Sequence, residues 1–598
     1  MARRSPLLRP VLAAVAAAAL AGGCAAVPTV GQPEQVTGAS GQAEQQFVQP
    51  VPPVPGRSWT AQEVVQGFLA ASASFAGDYA AARRFLAPPL RRSFNPGPTV
   101  TVLDGPLRPY ASRLGSHNVE SESTPIETVS LMGQQLATIS SIGQYVDNPG
   151  LRRYVFQLGR YHGQWLITQL PAGSAVLLTQ SDVEQFYQPR NLYVFSPPGG
   201  PSLVPEPVFA PQEDTYADVA GDLVEALIQT AQTPSWLSPA TITAFPAGTR
   251  LKSVSIVGSD AVVDLTGSIA RAGPQELQRM TDQLVATLTA TSYGQAPISK
   301  SVTLKINGRP VEQGLQAQDV TAKVAGAEPS TAPLYYIDAA GAVSELVSGH
   351  ARTVRGPAGR GQVPLSTIAV SPGKPAELAG TLATGPGCVI YYGSLSGSGE
   401  LSHRTIPGDS TCSSLSWDSL GDIWVVAGVR TWVLPAGSRQ PVQVSLPSLP
   451  GVDPQSYRVL SLRLAPDGVR VAMLVVQQDG TRALLLTSVS RAHGQTSMGP
   501  GVNIIGTSLN TDAAAAPSSL SWYDPDHLIV LAGTQLYEVP VNGGKAIAGG
   551  PVPRGAESLT SAGPGRIAAV SQGEILTSSG PQQIQQPAFK GTSPAYPG

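Results

Sequence analysis

The stretch Leu462-Arg-Leu-Ala-Pro-Asp-Gly-Val-Arg-Val-Ala-Met473 decides the fold of the C-terminal part of the chain. Two short apolar runs flank a turn of Pro, Asp and Gly, residue types that favour tight turns. Similar strand-turn-strand stretches occur at residues 368–373, 415–427, 520–532 and 559–570. Their starts lie about 40–58 residues apart, which is the spacing of β-propeller blades. We therefore expect an all-β propeller over residues 330–598, with five to seven blades.

Composition excludes several broad classes of protein. The 598 residues include 38 Lys+Arg and 40 Asp+Glu, a formal net charge of −2. Because no long basic run occurs, the electrostatic footprint of a nucleic-acid-binding protein is absent. The 63 Gly and 55 Pro residues disfavour a helical bundle and favour short strands joined by turns. A hydrophobic share of 42% is enough to build a core, which excludes a disordered chain.

The N-terminus has the pattern of an export signal. Arg3 and Arg4 precede an apolar run over residues 7–21, which is too short to remain in the bilayer as a spanning helix. The run ends in Leu20-Ala-Gly-Gly-Cys24, which resembles the bacterial lipobox, although Ala21 replaces the Leu usually found three residues before the Cys. We predict a lipoprotein signal peptide over residues 1–23.

Cys24 is the predicted lipidation site. Its thiol would accept diacylglycerol, and cleavage would then leave an acylated N-terminus whose acyl chains insert into membrane lipid. Two or more chains, at about 0.8 kcal/mol per buried CH₂, make such anchoring effectively permanent. The expected location is the extracytoplasmic face of the cell membrane. The alternative is a plain secreted protein in which Cys24 lies in the removed peptide or is a stray thiol.

The cysteine count also bears on the propeller. Three cysteines in an exported chain would leave one thiol unpaired. If Cys24 is acylated, Cys388 and Cys412 remain as a pair, 24 positions apart, in a strand-rich region and an oxidising compartment. We predict a disulfide between them, and the alternative is two buried thiols.

Residues 24–56 have the composition of a flexible tether. Pro, Gly and Gln dominate this segment, and large apolar residues are scarce. A flexible coil of this length spans roughly 30 Å, which would lift the folded domains off the membrane surface.

Residues 57–180 have the pattern of an α+β domain. Thr60-Ala-Gln-Glu63 matches a helix capping box, and apolar residues then recur at helical spacing. A second helix is predicted from Asp78 until Pro88-Pro89 stops it. Alternating segments that predict strands follow at residues 99–103, 135–142, 151–158 and 165–170. This order of helices and antiparallel strands resembles the cystatin or NTF2-like fold.

Residues 186–325 have the pattern of an α/β domain. The predicted elements are a strand at 191–196, a helix at 215–230, two strands within 250–266, a helix at 277–288 and a strand from 302. The paired strands turn at Gly258-Ser-Asp260, and the last strand ends in Asn307-Gly308. This order resembles the GerMN domain of sporulation and germination proteins, an α/β binding module.

The lipobox, tether, NTF2-like piece, GerMN-like piece and propeller, in that order, resemble the actinobacterial LpqB lipoprotein family. The resemblance implies a multidomain accessory protein on the outer face of the membrane, and we expect it to be non-enzymatic. The implied partner is the extracellular domain of a sensor histidine kinase of the MtrA–MtrB two-component type. The resemblance also implies an influence on cell envelope and division. We expect no nucleic-acid partner, because of the charge balance, and no cofactor.

The sequence offers no catalytic or metal-binding motif. The six histidines are never closer than 34 positions, so an H-x-x-H metal pair is absent. We interpret His162 and His527 as solvated turn residues. Asp467 and the stretch Asp524-Pro-Asp526 are interpreted as hairpin turns, in which Asp bonds its own backbone. Asp264 is interpreted as the cap of the turn that follows it. We therefore predict no catalytic and no metal-binding residues.

Two other functions remain open at this point. One is an envelope hydrolase or lactonase with its site in the propeller channel, which needs a metal or a carboxylate cluster at the channel mouth. The other is a cell-wall glycan-binding protein that uses exposed tryptophans. Trp417 and Trp522 occupy equivalent positions in the repeat, however, which favours a packing role. A channel lined by convergent polar residues would favour a ligand site, and one plugged by apolar side chains would not.

Overall fold

The computed structural model describes residues 54–598, apart from 75, 97–98, 112–125, 174–175, 197–201, 214, 312–319, 321–322, 325–330, 384, 386, 409–410, 448–456, 504–515 and 581–582. The predicted signal peptide, Cys24 and most of the predicted tether lie outside the described residues. The described residues belong to one compact unit. Among them, no helix has both the length and the apolar character needed to cross a bilayer.

The first domain packs helices against a mixed sheet. Its helices are α1 (Ala61–Ala71), α2 (Ala76–Arg83), α3 (Pro88–Ser93) and α4 (Gln180–Phe186). Its strands are β1 (Val100–Leu103), β2 (Tyr110–Ala111), β3 (Ile126–Ile139), β4 (Tyr145–Tyr161), β5 (Gln164–Gln169) and β6 (Leu177–Thr179). The sheet order is β5-β4-β3-β1-β6, with β2 paired to β3. β1 and β6 are parallel, whereas β3, β4 and β5 form an antiparallel meander. The specific NTF2-like assignment stays a prediction.

Helix α1 begins as its sequence predicts, but the prolines act differently from the prediction. The Glu63 N–H donates to Thr60 Oγ1 at 3.2 Å and the Thr60 N–H donates to Glu63 Oε2 at 2.7 Å, which completes the capping box. The predicted second helix already ends at Arg83, and Pro88-Pro89 starts α3 instead of stopping a helix. Proline is tolerated in a first helical turn because its missing N–H would have no partner there.

The second domain follows the predicted GerMN-like order. Its elements are β7 (Tyr187–Phe195), β8 (Leu203–Pro211), α5 (Tyr216–Gln229), β9 (Thr249–Val257), β10 (Asp260–Gly267), α6 (Pro274–Thr289), β11 (Ser301–Ile306) and β12 (Arg309–Pro310). The main sheet has the order β12-β11-β10-β9, in which β10 and β11 are parallel, and β7 pairs with β8 in a separate ladder. Helices α5 and α6 bury an apolar face that includes Leu223 and Leu284.

The propeller occupies the C-terminal part of the chain, as predicted. The strands of blades I to III are β13 (Leu334–Asp338), β14 (Val343–Val347), β15 (His350–Thr353), β16 (Leu365–Val370), β17 (Glu377–Leu382), β18 (Cys388–Ser394), β19 (Ser402–Ile406), β20 (Cys412–Trp417), β21 (Ile423–Ala427), β22 (Arg430–Leu434) and β23 (Val442–Val444). Those of blades IV to VI are β24 (Tyr457–Leu464), β25 (Arg470–Gln477), β26 (Arg482–Ser490), β27 (Ser497–Met498), β28 (Val502–Asn503), β29 (Pro517–Trp522), β30 (His527–Ala532), β31 (Gln535–Pro540), β32 (Ile547–Pro551), β33 (Ala556–Ser561), β34 (Ile567–Ser571), β35 (Glu574–Gly580) and β36 (Gln583–Ala595).

Strand β36 closes the ring. Its residues up to Lys590 pair with β35 in blade VI, and its residues from Gly591 pair with β13 in blade I. Blade I is therefore assembled from both ends of the propeller sequence, with the end of β36 as its innermost strand. The described strands thus form six blades, within the predicted range of five to seven. Closure of this kind removes the exposed sheet edge that an open ring would leave.

Hydroxyl side chains on the innermost strands connect neighbouring blades. The Leu462 N–H in blade IV donates to Ser414 Oγ in blade III at 3.0 Å. The Leu559 N–H in blade VI donates to Ser519 Oγ in blade V at 3.1 Å. These serines lie in the identical pentapeptides Ser-Ser-Leu-Ser-Trp at 413–417 and 518–522. An inner strand has an unpaired edge towards the channel, and the hydroxyl groups satisfy backbone groups on that edge.

The equivalent tryptophans of these pentapeptides are buried and hydrogen-bonded. Trp417 Nε1 donates to the Ala369 carbonyl at 3.1 Å, and Trp522 Nε1 donates to the Arg463 carbonyl at 3.1 Å. Each acceptor lies at the same repeat position in the preceding blade. Both rings therefore pack between blades, and neither is an exposed platform for a sugar ring.

Candidate functional site

A cavity of about 1170 Å³ lies at one end of the propeller channel, under the second domain. Its propeller wall consists of the turns that follow the inner strands, represented by Lys374, Asp418, Pro466, Asp524 and Gly563. Tyr193, Ala286, Thr289 and Tyr293 of the second domain form its cover. Polar, charged and aromatic side chains all reach this space, so this end of the channel is not plugged by apolar side chains.

Asp526 joins the cover to the propeller. Its Oδ1 accepts a hydrogen bond from Asn191 Nδ2 at 2.6 Å, and its Oδ2 accepts one from the Tyr293 N–H at 2.7 Å. The residue is 8% exposed. Burial raises the pKa of Asp526, and the hydrogen bonds from Tyr293 and Asn191 oppose that rise. A buried carboxylate with these partners favours one position of the second domain over the channel, because a shift that broke either hydrogen bond within the buried contact would leave a donor unpaired.

His527 lies in a charged network beside this contact. Its Nδ1 is 2.9 Å from Asp524 Oδ1, and its ring packs edge-on against Tyr293 at 5.4 Å between centroids. Burial alone would lower the pKa of His527, but the hydrogen bond and charge of Asp524, with the charge of Glu538, raise it. The interpretation of His527 as a solvated turn residue is wrong: it is the first residue of β30, and its side chain is 13% exposed.

A buried arginine supports the turn that carries Asp526. Arg470 Nε donates to Asp467 Oδ2 at 2.7 Å, and Nη1 donates to the Pro525 carbonyl at 2.8 Å. Its guanidinium lies over the Trp522 ring at 4.9 Å. Asp467 also accepts from the Val469 N–H at 2.8 Å, which agrees with its predicted role in a hairpin turn. The ion pair with Asp467, the contact with the Trp522 ring and the hydrogen bond to the Pro525 carbonyl together hold this turn in a fixed position.

Asp418 is a second buried carboxylate at the cavity wall, and its oxygens are fully engaged. Oδ1 accepts from the N–H groups of Leu420 and Asp422, both at 2.9 Å. Oδ2 accepts from Trp424 Nε1 at 3.0 Å and from the Arg491 guanidinium. This pattern stabilises the turn after β20 and leaves no free acceptor for a metal or a substrate proton.

The predicted site residues lie away from this cavity or outside the described chain. A disulfide joins Cys388 in blade II to Cys412 at the start of blade III, with 4.9 Å between their Cα atoms. Cys24 falls outside the described residues. Asp264 does not cap the turn after it; it accepts instead from Lys252 Nζ and from the Gly308 N–H, each at 2.8 Å. In the described chain, no three His, Cys, Asp or Glu side chains come together as a metal ligand set.

Sequence reasoning missed the Asp526 contact for a definite reason. Its partners are Asn191, 335 positions earlier, and Tyr293, 233 positions earlier, and no local pattern reports such contacts. One signal was available in the sequence. The turn in blade V concentrates two carboxylates and an imidazole within Asp524-Pro-Asp-His527, where the blade IV turn has Ala-Pro-Asp-Gly.

Three family models match the chain. They are the N-terminal domain of lipoprotein LpqB at residues 52–184, the sporulation and spore germination domain at 191–312, and the LpqB β-propeller domain at 341–597. Among solved structures, a gluconolactonase from Xanthomonas campestris is 14% identical with a TM-score of 0.29, covering 42% of this chain and 82% of that one. The tandem GerMN domains of GerM from Bacillus subtilis are 18% identical with a TM-score of 0.18, covering 27% and 58%. These structural similarities carry no functional argument.

Curated relatives match along the whole chain. Lipoprotein LpqB of Streptomyces coelicolor is 29% identical over 638 aligned residues, covering 100% of this chain and 98% of that protein. Lipoprotein LpqB of Thermobifida fusca is 30% identical over 656 aligned residues, covering 98% and 99%. Because the matches extend across every domain in the same order, the chain belongs to the LpqB lipoprotein family.

Proposed function

We propose that this protein is a lipid-anchored docking body, that is, a non-catalytic protein that offers a binding surface to a partner, on the extracytoplasmic face of the cell membrane. Acyl chains on Cys24 hold it in membrane lipid, and residues 24–56 act as the tether. The NTF2-like (57–180), GerMN-like (186–325) and propeller (330–598) domains then bind the extracellular domain of a sensor histidine kinase of the MtrA–MtrB type. The protein acts without catalysis, and its binding influences cell envelope and division.

Family membership and the N-terminal sequence support the anchor. The full-length relatives are named lipoproteins, and the apolar run of this chain stops directly at a cysteine. One experiment tests this part. Radiolabelled palmitate is expected to label the wild type and not Cys24→Ala, and the variant is expected to leave the membrane fraction. Equal membrane retention of the unlabelled variant would contradict the anchor.

The observation that carries the docking proposal is the shared core of the second domain and the propeller. One buried apolar cluster contains Leu223 and Leu284 of the second domain together with Leu484 and Val530 of the propeller. A buried hydrogen bond from Ser488 Oγ to the Trp236 carbonyl, 2.9 Å long, crosses the same boundary. Since these contacts form only in one arrangement, the domains present one fixed composite surface, as a docking body requires.

The first domain is also joined to the second by buried polar contacts. Gln144 Nε2 donates to Glu206 Oε1 at 2.9 Å, and the Phe209 N–H donates to the Gly143 carbonyl at 2.7 Å. A partner that contacts more than one domain therefore meets a preformed surface and loses little entropy to domain ordering.

Regulation by such a body follows mass action. A protein that binds one conformation of the kinase sensor domain shifts the kinase towards that conformation, and the shift is limited by its differential affinity for the two states. Catalysis is not needed for this effect.

A capture experiment tests the docking proposal. The detergent-solubilised full-length protein is expected to retain the purified extracellular domain of the kinase on a column, in a saturable manner. An unrelated lipoprotein of similar size is the control. Absence of retention with both proteins folded would contradict the kinase proposal. Cosedimentation with isolated peptidoglycan instead of the kinase domain would favour a glycan-binding function.

A further inference from the structure

Arg463 places a guanidinium on the wall of the channel cavity without a carboxylate partner. The residue lies in β24, the inner strand of blade IV, and it borders the cavity. Its Nη1 donates to the Leu462 carbonyl at 2.9 Å, the Leu415 carbonyl at 3.2 Å and Ser414 Oγ at 3.2 Å. All of these acceptors are neutral. Within the described residues, Arg463 takes part in no ion pair.

Three other arginines of the propeller, one buried and two partly buried, have an acidic partner. Arg470 pairs with Asp467 at 2.7 Å, and Arg491 pairs with Asp418. Arg439 pairs with Glu377 at 3.0 Å. Enclosing a cation costs several kcal/mol unless a counter-charge and hydrogen bonds compensate it. Arg463 therefore differs from these three arginines, because its surroundings provide neutral acceptors without a counter-charge.

The remaining donors of Arg463 face open space. Its Nε and Nη2 donate to no described protein atom, and neither is an enclosed atom without a partner, so both keep accessible surface. The residue is partly buried and borders the cavity, so we assign that surface to the cavity. Burial lowers the pKa of Arg463 to about 10, which leaves the guanidinium charged at neutral pH. A forked pair of charged N–H donors thus points into a space of small-molecule size.

The Asp side chains around the cavity already have partners. Asp418 binds Arg491 and Asp524 binds His527. Asp526 faces the second domain, where Asn191 and the Tyr293 N–H engage its oxygens. Lys374 also borders the cavity and is exposed, with no ion pair to a described residue. Among the charged side chains of described residues at the cavity, Arg463 and Lys374 are the cations that take part in no ion pair.

We propose that the cavity under the second domain binds a small molecule that carries an oxyanion, a carboxylate or a phosphate, and that Arg463 is its main recognition residue. The guanidinium fork matches two oxygens of either group, and Lys374 adds charge at the rim. The cover formed by α6 and the following turn encloses the bound molecule, since Thr289 and Tyr293 border the same space. This inference does not depend on the kinase proposal.

Isothermal titration calorimetry of the full-length protein tests the site with two probes, inorganic phosphate and citrate. Glycerol is the neutral control ligand. The wild type is expected to bind at least one anion with a Kd on the order of millimolar or tighter, and to show no heat with glycerol. The stronger anion identifies which of the two oxyanion classes the site prefers. Absence of binding for both anions up to about 10 mM would overturn the proposal.

Three variants separate recognition from folding. Arg463→Gln is expected to weaken anion binding by about tenfold or more, because the charged fork is lost. Arg458→Gln is the matched control, since Arg458 lies in the same strand and is exposed, and its affinity is expected to equal that of the wild type. If Arg463→Gln does not fold, Arg463→Lys provides the test. It is expected to bind about threefold more weakly or worse, because lysine has no fork. Unchanged affinity in either Arg463 variant would overturn the proposal.

Discussion

Asp526 in the propeller and Asn191 in the second domain are joined by a 2.6 Å hydrogen bond across 335 positions of sequence. The other oxygen of the same carboxylate accepts from the Tyr293 N–H. One side chain therefore holds both strand β7 and the segment after α6 against the rim of the channel. The placement of the second domain over the cavity depends on this contact and on the apolar core around it.

The first prediction concerns that contact. Asp526→Ala leaves the Tyr293 N–H and one N–H of the Asn191 amide buried without an acceptor, so we expect a loss of about 1–3 kcal/mol in stability. Hydrogen exchange is expected to increase at residues 190–195 and 290–295, since the loss is at the domain boundary. Asp479→Ala is the control, because Asp479 accepts a hydrogen bond in an exposed turn. Unchanged exchange in Asp526→Ala would show that the carboxylate does not hold the domains together.

The second prediction concerns pH. Burial raises the pKa of Glu206 to about 7, whereas the carboxyl of an unfolded chain titrates near 4.5. The folded state therefore holds the proton more tightly, and the stability from this group falls as pH rises from about 4.5 to about 7. Glu206→Gln removes the charge, so the variant is expected to be more stable than the wild type at pH 8, by up to about 3 kcal/mol. The advantage is expected to shrink towards pH 5.

Denaturant unfolding from pH 5 to pH 8 measures this difference. Burial also raises the pKa of Asp222 to about 7. Because Asp222 is present in both the wild type and the variant, its effect on stability cancels in the comparison. Glu184→Gln, at an exposed position, is the matched control and is expected to show no pH-dependent difference. A difference between Glu206→Gln and wild type that is constant with pH would contradict the assignment of the buried charge.

The third prediction concerns the disulfide. Cys388 and Cys412 close a loop with a sequence separation of 24 and join blade II to blade III. Replacing both with Ser is expected to reduce the stability of the propeller by about 2–4 kcal/mol, because the unfolded chain gains freedom. Denaturant unfolding of oxidised wild type, reduced wild type and the double variant measures the effect. Equal stability of all three would mean that the bridge contributes nothing.

The fourth prediction compares tryptophans. Trp417→Phe and Trp522→Phe each remove an N–H that satisfies a carbonyl of the preceding blade, so each is expected to cost about 1–3 kcal/mol. Trp432→Phe is the control, because Trp432 Nε1 is buried and donates to no described residue, so its removal leaves none of their acceptors unpaired. Thermal unfolding ranks the three variants. A larger loss for Trp432→Phe than for the other two would contradict the role of these hydrogen bonds.

Local sequence patterns predicted the elements that depend on neighbouring residues. The capping box at Thr60 and Glu63, the turn at Gly258 and the repeated strand pairs of the propeller all depend on residues close in sequence. Five repeats were visible because each occupies one continuous stretch. Blade I could not be recognised as a sequence repeat. Its inner strand comes from β36 and its other strands begin at Leu334, so no single stretch of sequence contains the whole blade.

Local sequence patterns could not predict the cavity. It exists because the second domain docks on the propeller, and that docking joins residues separated by more than 200 positions, as at Asp526 and Tyr293. The position of the Arg463 guanidinium at the cavity could not be predicted from sequence either. Its sequence position within Leu462-Arg-Leu464 indicates a strand, but only the ring of inner strands shows that Arg463 borders the channel cavity and forms no ion pair with a described residue.

Kinase activity in reconstituted vesicles tests the central claim most directly. The full-length kinase is incorporated with its extracellular domain outward, and the acylated wild-type protein is added to the outer leaflet. We expect a saturable change in autophosphorylation that follows the amount of bound protein, as a shift between two conformations requires. Autophosphorylation that stays constant while the protein is anchored at saturating density, with no association between the two, would contradict the account.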